Sequence, residues 1–283
     1  MKVKHLLLTF WQLLRDTIIS FRHERIWRKA AAIAFYTLFT TGPMLVLILH
    51  LASLLTGNDD VRKILMEWIQ LAAGDTGAEA VGELLDNFSL PKAGVLGYVI
   101  GTYMLFSGGI NAVGQLRETI SSILKVDEGD RNNRPVWFAV VIDAAFVIAI
   151  TFLVMASGLV GMMFYYIRSM IEVDVPFMFV ISRVFGIVVS LSMLVLALGC
   201  IYRYLPARKL SWFAIGTASL MAAPLFMMVR FSMIAWFANA DLESVYGSIS
   251  FMVVFLLLAY VSVQVVLLGA IFAGVVEEHR RDR

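Results

Sequence analysis

Residues 31–55 read AAIAFYTLFTTGPMLVLILHLASLL and contain no Asp, Glu, Lys or Arg. A bilayer core about 30 Å thick is crossed by about 20 apolar residues in an α-helix. This stretch is long enough, and it therefore predicts a membrane-spanning helix. Five more runs of the same kind follow it along the chain. The six predicted spans are 30–55, 94–113, 137–166, 177–201, 212–237 and 249–276.

The composition agrees with a membrane protein. Of the 283 residues, 60% are hydrophobic and only 16% are charged, and the mean hydropathy is +0.83. A soluble domain is nearer half apolar and a quarter charged. The apolar runs are long and continuous, unlike the short alternating strands of membrane barrels. The one cysteine, Cys200, lies inside a predicted span, which excludes a disulfide framework. We expect an all-α integral membrane protein with one six-helix domain over residues 30–276.

The distribution of Lys and Arg predicts the orientation. Seven lie in residues 1–29, four in 115–136, three in 202–211 and three in 277–283, which places 17 on one side. The loops on the other side carry only four. Because basic loops stay in the cytoplasm, both termini are predicted there, in a bacterial cytoplasmic (inner) membrane. The loop 56–93 is then an acidic outer loop, and residues 277–283 form a short charged cytoplasmic tail.

Residues 1–29 precede the first span and are predicted to form an amphipathic helix. Its helical spacing predicts either contact with the cytoplasmic membrane surface or packing on the cytoplasmic ends of the bundle. Arg15 and Asp16 interrupt the apolar run, which disfavours a signal peptide. A second amphipathic stretch, 115–126, is expected to prolong the second span into the cytoplasm. The apolar stripe of the first helix consists of Leu6, Leu7, Phe10, Leu14, Ile18 and Phe21.

Two glycine-containing breaks lie inside the predicted spans. Gly42 and Pro43 interrupt the first span, because proline has no amide hydrogen to donate to the carbonyl four residues earlier. Such a break serves either as a packing kink or as a hinge that lines a polar cavity, as in transporters. In the second span Gly108, Gly109 and Asn111 favour either close helix packing or an unwound turn that faces a ligand.

Four polar side chains lie deep in the predicted spans, where charged groups are costly and usually face the bundle interior. Arg183 and Arg230 lie in the predicted outer half, and they indicate either snorkelling and pairing with nearby outer acids or an anion-attracting vestibule. Gln264 lies near the middle of the sixth span. Asp143 lies in the inner half of the third span. It is protonated, paired with a basic group near the inner face, or part of a proton relay.

The chain lacks the motifs of several enzyme classes. It has no HExxH, no GxxxxGK[ST] and no GxSxG, and its four histidines show no metal-ligand spacing. We therefore expect no metal, no cofactor and no nucleic-acid partner. The expected partners are membrane lipids and a small solute, anion or lipid substrate. A transporter without a nucleotide-binding motif would be driven by a gradient.

Four stretches carry recognisable motifs. They are 29-KAAAIAFYTLFTTGPMLVLI-48, 106-FSGGINAVGQLRETISSI-123, 202-YRYLPARKLSWFAIGTASLMAA-223 and 245-VYGSISFMVVFLLLAYVSVQVVLLGAIFA-273. Together they resemble the YihY/BrkB-type family of bacterial membrane proteins. The first two are similar to its aromatic entry ending in proline and its small-residue span that leads into a cytoplasmic helix. The last two are similar to its Leu-Pro-x-Arg loop and its Tyr-Gly opening with a Leu-Leu-Gly-Ala close.

The resemblance implies six spans with both ends inside. It also brings an old ribonuclease label, a link of one branch with virulence and serum resistance, and a suspected role in lipid or solute export. Two positions depart from the pattern: Ile271 stands where many members have Glu, and Ala259 where many have Trp. The residues that fit the pattern are Pro43, Pro206, Arg208, Tyr246, Gly247 and Gly269, with Arg230 where members often have a basic residue.

Three functional hypotheses follow from the sequence. The first is a gradient-driven transporter or lipid or solute permease, in which the kink and the deep polar groups line a path. The second is a structural or envelope-associated scaffold, whose acidic outer loop binds a partner. The third is an enzyme of the ribonuclease type. The sequence disfavours it, because it offers no metal cluster and no nucleophile–base pair.

Overall fold

A computed structural model describes residues 2–38, 63, 66, 82, 90–124, 141–146, 148–149, 176–206, 208, 210–239 and 250–281. Over these residues the regular structure is α-helical and contains no β-strand. Residues 141–146 and 148–149 form a short helical segment. The principal helices are α1 (Lys2–His23), α2 (26–38), α3 (Leu90–Ile123), α4 (Pro176–Tyr204), α5 (Trp212–Asn239) and α6 (Ser250–Arg281).

Three of these helices contain a stretch that is long and apolar enough to cross a membrane. The stretches are Gly186–Tyr204, Trp212–Met233 and Met252–Arg281. They coincide with the last three predicted spans and confirm the all-helical membrane class. The second predicted span, 94–113, lies within α3, which continues to Ile123 as the amphipathic pattern predicts. The count of six spans and the side on which the termini lie stay predictions.

Several predicted features lie outside the described residues. They include the break at Gly42 and Pro43, most of the first and third spans, and nearly all of the loop 56–93. Helix α5 also contains a proline, Pro224, and is helical on both sides of it. Proline is thus accommodated within a helix that is apolar enough to span a membrane.

Helix α6 is the centre of the packing. It contacts α5 most extensively and also packs against α1, α3 and α4, while α4 packs against α5. Small side chains allow this approach: Ala214, Ala218 and Ala222 recur every four residues on α5 and are fully buried. The largest buried side chains include Ile120 near the C-terminal end of α3, and Tyr202 and Leu205 around the C-terminal end of α4. The best-packed region is therefore the end that the Lys and Arg distribution predicts to be cytoplasmic.

The packing of α1 divides its predicted apolar stripe between two faces. Leu14 and Phe21 pack against the buried core, and Thr17 between them is 2% exposed. Ile18, from the same predicted stripe, is 59% exposed and lies on the outer face with Trp11. The helix thus packs on the bundle, and it also presents a separate outer face with apolar side chains. Contact of that face with lipid stays a prediction.

Candidate functional site

An ion pair joins α3 to the segment 141–146. Arg117 donates from Nε to Oδ1 of Asp143 at 2.9 Å and from Nη2 to Oδ2 at 3.2 Å. A planar guanidinium that engages both oxygens of a carboxylate gives a strong and directional contact. Asp143 is 2% exposed, whereas the Arg117 side chain is 28% exposed. Of the three states that the sequence allows for Asp143, the geometry is that of pairing with a basic group.

Gly114 lies beside this pair. It is one turn before Arg117 on α3, and a Cβ atom placed on it would be 3.4 Å from Oδ2 of Asp143, which is ordinary van der Waals contact. The sequence alone did not single out Gly114 and Arg117, because the amphipathic pattern of 115–126 does not show which element lies opposite them.

A tyrosine links α4 to α6 in the buried core. The Tyr202 hydroxyl donates to the carbonyl oxygen of Val266 at 2.9 Å, and its side chain is fully buried. Its ring fills the space beside Gly269, where a Cβ atom would lie 2.9 Å from both Cζ of Tyr202 and Cβ of Ala222. Only glycine at 269 allows α4, α5 and α6 to approach this closely.

The connection between α4 and α5 is fixed by hydrogen bonds to other helices. Arg208 donates from Nη1 to the carbonyl oxygen of Leu124 at 3.0 Å, at the end of α3. Carbonyls in the last turn of a helix have no partner within the helix, so this contact caps α3. It also gives a structural reason for the arginine of the Leu-Pro-x-Arg pattern.

Ser211 begins α5 as its N-cap residue. Its Oγ accepts from the backbone amide of Ala214 at 3.3 Å, and its own amide and hydroxyl both donate to Oε2 of Glu277. Glu277 lies beyond the apolar part of α6, in its charged last turn. The Ser211 hydroxyl lowers the pKa of this carboxyl, and Arg281 and Arg208 add to the effect. The ends of α5 and α6 are thereby tied together.

The other residues predicted for a polar path are not brought together. Asn111 and Arg230 are exposed, Gln264 is half-buried, and no hydrogen bond or ion pair among the described side chains joins them to Asp143. Arg183 lies on α4, but its side chain is outside the described part. Gly108 is half-buried and Gly109 is buried, and α3 runs as a helix through both, so their role as a hinge stays a prediction.

The described side chains include no group of three or more His, Cys, Asp or Glu placed to hold a metal ion. Their polar geometry is instead a set of contacts between helices at one end of the bundle. We define this set, by its donors and acceptors, as the polar end cluster: Arg117 with Asp143, Tyr202 with Val266, Arg208 with Leu124 and Ser211 with Glu277.

Comparison with known proteins identifies a family for this chain. A family model with the description "Virulence factor BrkB" matches residues 17–283, which is nearly the whole chain. Searches of curated proteins and of solved structures gave no match.

Proposed function

Because this chain belongs to the BrkB family of membrane proteins, we propose that it is a gradient-driven permease for a lipid or a small solute. We place it in the bacterial cytoplasmic membrane as a multi-pass protein, with both termini and the polar end cluster on the cytoplasmic side. The excess of Lys and Arg in the loops at that end supports this orientation. In this proposal the polar end cluster closes the cytoplasmic end of the permeation path.

The observation that carries the proposal is the Arg117–Asp143 ion pair. A bundle that needs only cohesion gains little from a buried ion pair, because apolar side chains of similar volume often stabilise it as well or better. Charged residues within membrane spans commonly mark pathways for ions or substrates. A pair between two helical elements can also break and rehydrate, which suits a gate between closed and open states that differ by a few kcal/mol.

The scaffold is the second candidate, and the packing around Gly269 favours it. Tyr202 and Ala222 leave no free space beside this glycine, so α4, α5 and α6 are held in one close arrangement. A permease requires some of these helices to move relative to one another, whereas a scaffold does not. The two candidates therefore differ in whether the cytoplasmic end opens.

Cysteine accessibility distinguishes the two candidates. The exposed native Cys200 is first replaced by alanine, and cysteine is then placed at Gln264. A membrane-impermeant, charged thiol reagent is applied to inside-out vesicles with and without Arg117→Gln. The permease proposal predicts that breaking the ion pair increases labelling at 264. Leu220→Cys is the matched control, because that position is 64% exposed on an apolar face and stays unlabelled if it contacts lipid.

Protection of position 264 in both backgrounds would favour the scaffold. Transport is then measured directly in proteoliposomes, with fluorescent phospholipids and with extracts of cytoplasmic solutes on one side of the membrane. A comparison of lipids and metabolites in cells with and without the gene supplies the candidate substrates. If no lipid or solute crosses faster than in protein-free vesicles, the permease proposal fails.

A further inference from the structure

Two exposed aromatic side chains lie at the start of α5, and the guanidinium group of an arginine from another helix lies over each ring. Trp212 and Phe213 are 68% and 61% exposed. The guanidinium carbon of Arg203, in the last turn of α4, lies 4.9 Å from the Trp212 ring centroid. The guanidinium carbon of Arg280, in the last turn of α6, lies 5.6 Å from the Phe213 ring centroid. We call these four residues the arginine–aromatic patch.

The position of the patch places it at a membrane surface. It lies where the three candidate membrane helices α4, α5 and α6 end or begin, at one level of the bundle. Exposed Trp and Tyr side chains are enriched at that level in membrane proteins, because one part of the ring is apolar and another is polar. Tyr204, at the end of α4, is 64% exposed and continues the same aromatic surface. We therefore expect lipid headgroups at the level of the patch.

The two arginines retain hydrogen-bonding capacity toward this surface. A guanidinium has five N–H donors, and Arg203 directs one of them to the carbonyl oxygen of Leu210 at 2.7 Å. Among the described residues Arg203 therefore has N–H donors left for a ligand. Glu277, near the end of α6, already accepts two hydrogen bonds from Ser211. Preoriented guanidinium groups favour phosphate, which they bind in a bidentate manner.

We propose that the arginine–aromatic patch binds the phosphate groups of anionic phospholipids in the adjoining leaflet. The guanidinium groups of Arg203 and Arg280 donate to the phosphate oxygens. The rings of Trp212 and Phe213 hold the guanidinium groups and contact the glycerol and upper acyl regions. Binding at this site fixes the depth of α4, α5 and α6 relative to the lipid headgroups. The proposal does not depend on transport.

Lipid binding to the purified full-length protein tests the proposal. Native mass spectrometry in detergent measures occupancy by phosphatidylglycerol and, separately, by phosphatidylcholine, whose net charge is zero. One Lys or Arg near an anionic lipid surface is worth about 1 kcal/mol, which corresponds to about a fivefold change in affinity. We therefore expect Arg280→Gln to lower the apparent affinity for phosphatidylglycerol about fivefold and the affinity for phosphatidylcholine much less.

The matched control is Arg281→Gln, which removes the neighbouring exposed arginine from the same end of α6, where the described residues give it no ring contact. It should lower phosphatidylglycerol binding much less than Arg280→Gln does. Phe213→Leu keeps the apolar surface but removes the ring, so a smaller loss is expected. Arg280 makes no hydrogen bond to the described residues, so its replacement should leave folding intact, whereas Arg203→Gln also loses the bond to Leu210.

Three results would overturn the proposal. The first is equal binding of phosphatidylglycerol and phosphatidylcholine by the unaltered protein. The second is an equal loss with Arg281→Gln and Arg280→Gln, which would indicate nonspecific charge attraction. The third is displacement of the lipid by millimolar inorganic phosphate, which would assign the patch to a soluble anion. A tenfold rise in ionic strength should weaken the lipid preference, because exposed charges are screened.

Discussion

Removing either partner of the Arg117–Asp143 pair should destabilise the protein, but unequally. Arg117→Gln leaves a carboxylate that is 2% exposed without its two charge-assisted hydrogen bonds. Breaking a buried pair in this way costs about 3–5 kcal/mol. Asp143→Asn leaves Arg117, whose side chain is 28% exposed and can turn to water. The asparagine oxygen still accepts one bond from Arg117, so we expect a cost of about 1–2 kcal/mol.

Thermal unfolding in detergent, followed by size-exclusion chromatography of a fluorescent fusion, measures this difference. For a chain of this size about 1 kcal/mol corresponds to about 2–4 °C in Tm. The double variant Arg117→Gln, Asp143→Asn has no uncompensated charge, so it should unfold at a higher temperature than Arg117→Gln alone. The reasoning is refuted if Asp143→Asn is the more damaging single change, or if the effects of the two changes simply add.

Two further predictions concern helix contacts at the same end. Gly269→Ala should lower the free energy of unfolding by about 1–3 kcal/mol, because the added methyl group overlaps Tyr202. The control Gly216→Ala has nothing within 4 Å of its Cβ position, so it should be neutral or slightly stabilising. Equal Tm values for the two variants would contradict this. Ser211→Ala should lower the free energy of unfolding by about 0.5–2 kcal/mol, because α5 loses its N-cap and Glu277 loses a donor. Glu277→Gln should lower it less, because the glutamine side chain still offers an acceptor to Ser211. The same thermal assay measures both, and an unaffected Ser211→Ala protein would show that the cap contributes nothing.

The lengths of the apolar helices were predictable because the bilayer sets them. The predicted span 212–237 begins at the same residue as α5 (Trp212–Asn239) and ends two residues earlier. The predicted span 249–276 begins one residue before α6 (Ser250–Arg281), but α6 ends five residues later than predicted. These five extra residues have a physical cause. Residues 277–281 are charged or imidazole-bearing, so they end the apolar run, but they are able to form helix and continue it into the polar region. Hydropathy therefore predicts the apolar part of a helix, whereas the full length of the helix depends on how far its backbone hydrogen bonds continue.

The partner of Asp143 was not predictable from the same pattern. Helical periodicity assigns Arg117 to a face of α3, but it does not say which element lies opposite that face. Arg117 lies within the amphipathic stretch 115–126, for which the sequence predicts only a continuation of the second span. Gly114 and Arg117 are three residues apart and share a face of α3, and the structure places the Asp143 carboxylate against that face. The sequence does not show that this face meets the segment 141–146.

The Arg117–Asp143 pair also bears on position 271, where this chain has Ile and many members of the family have Glu. The family resemblance suggested a glutamate in the sixth span, but Ile271 is 2% exposed and packs within the apolar core. A glutamate at that depth would need a partner, because an unpaired buried carboxylate is costly. Among the described residues Asp143 is the only buried charged side chain, and Arg117 already neutralises it. In the proposed permease the described residues therefore offer the separation of that pair, and not a charge at position 271, as the step coupled to opening.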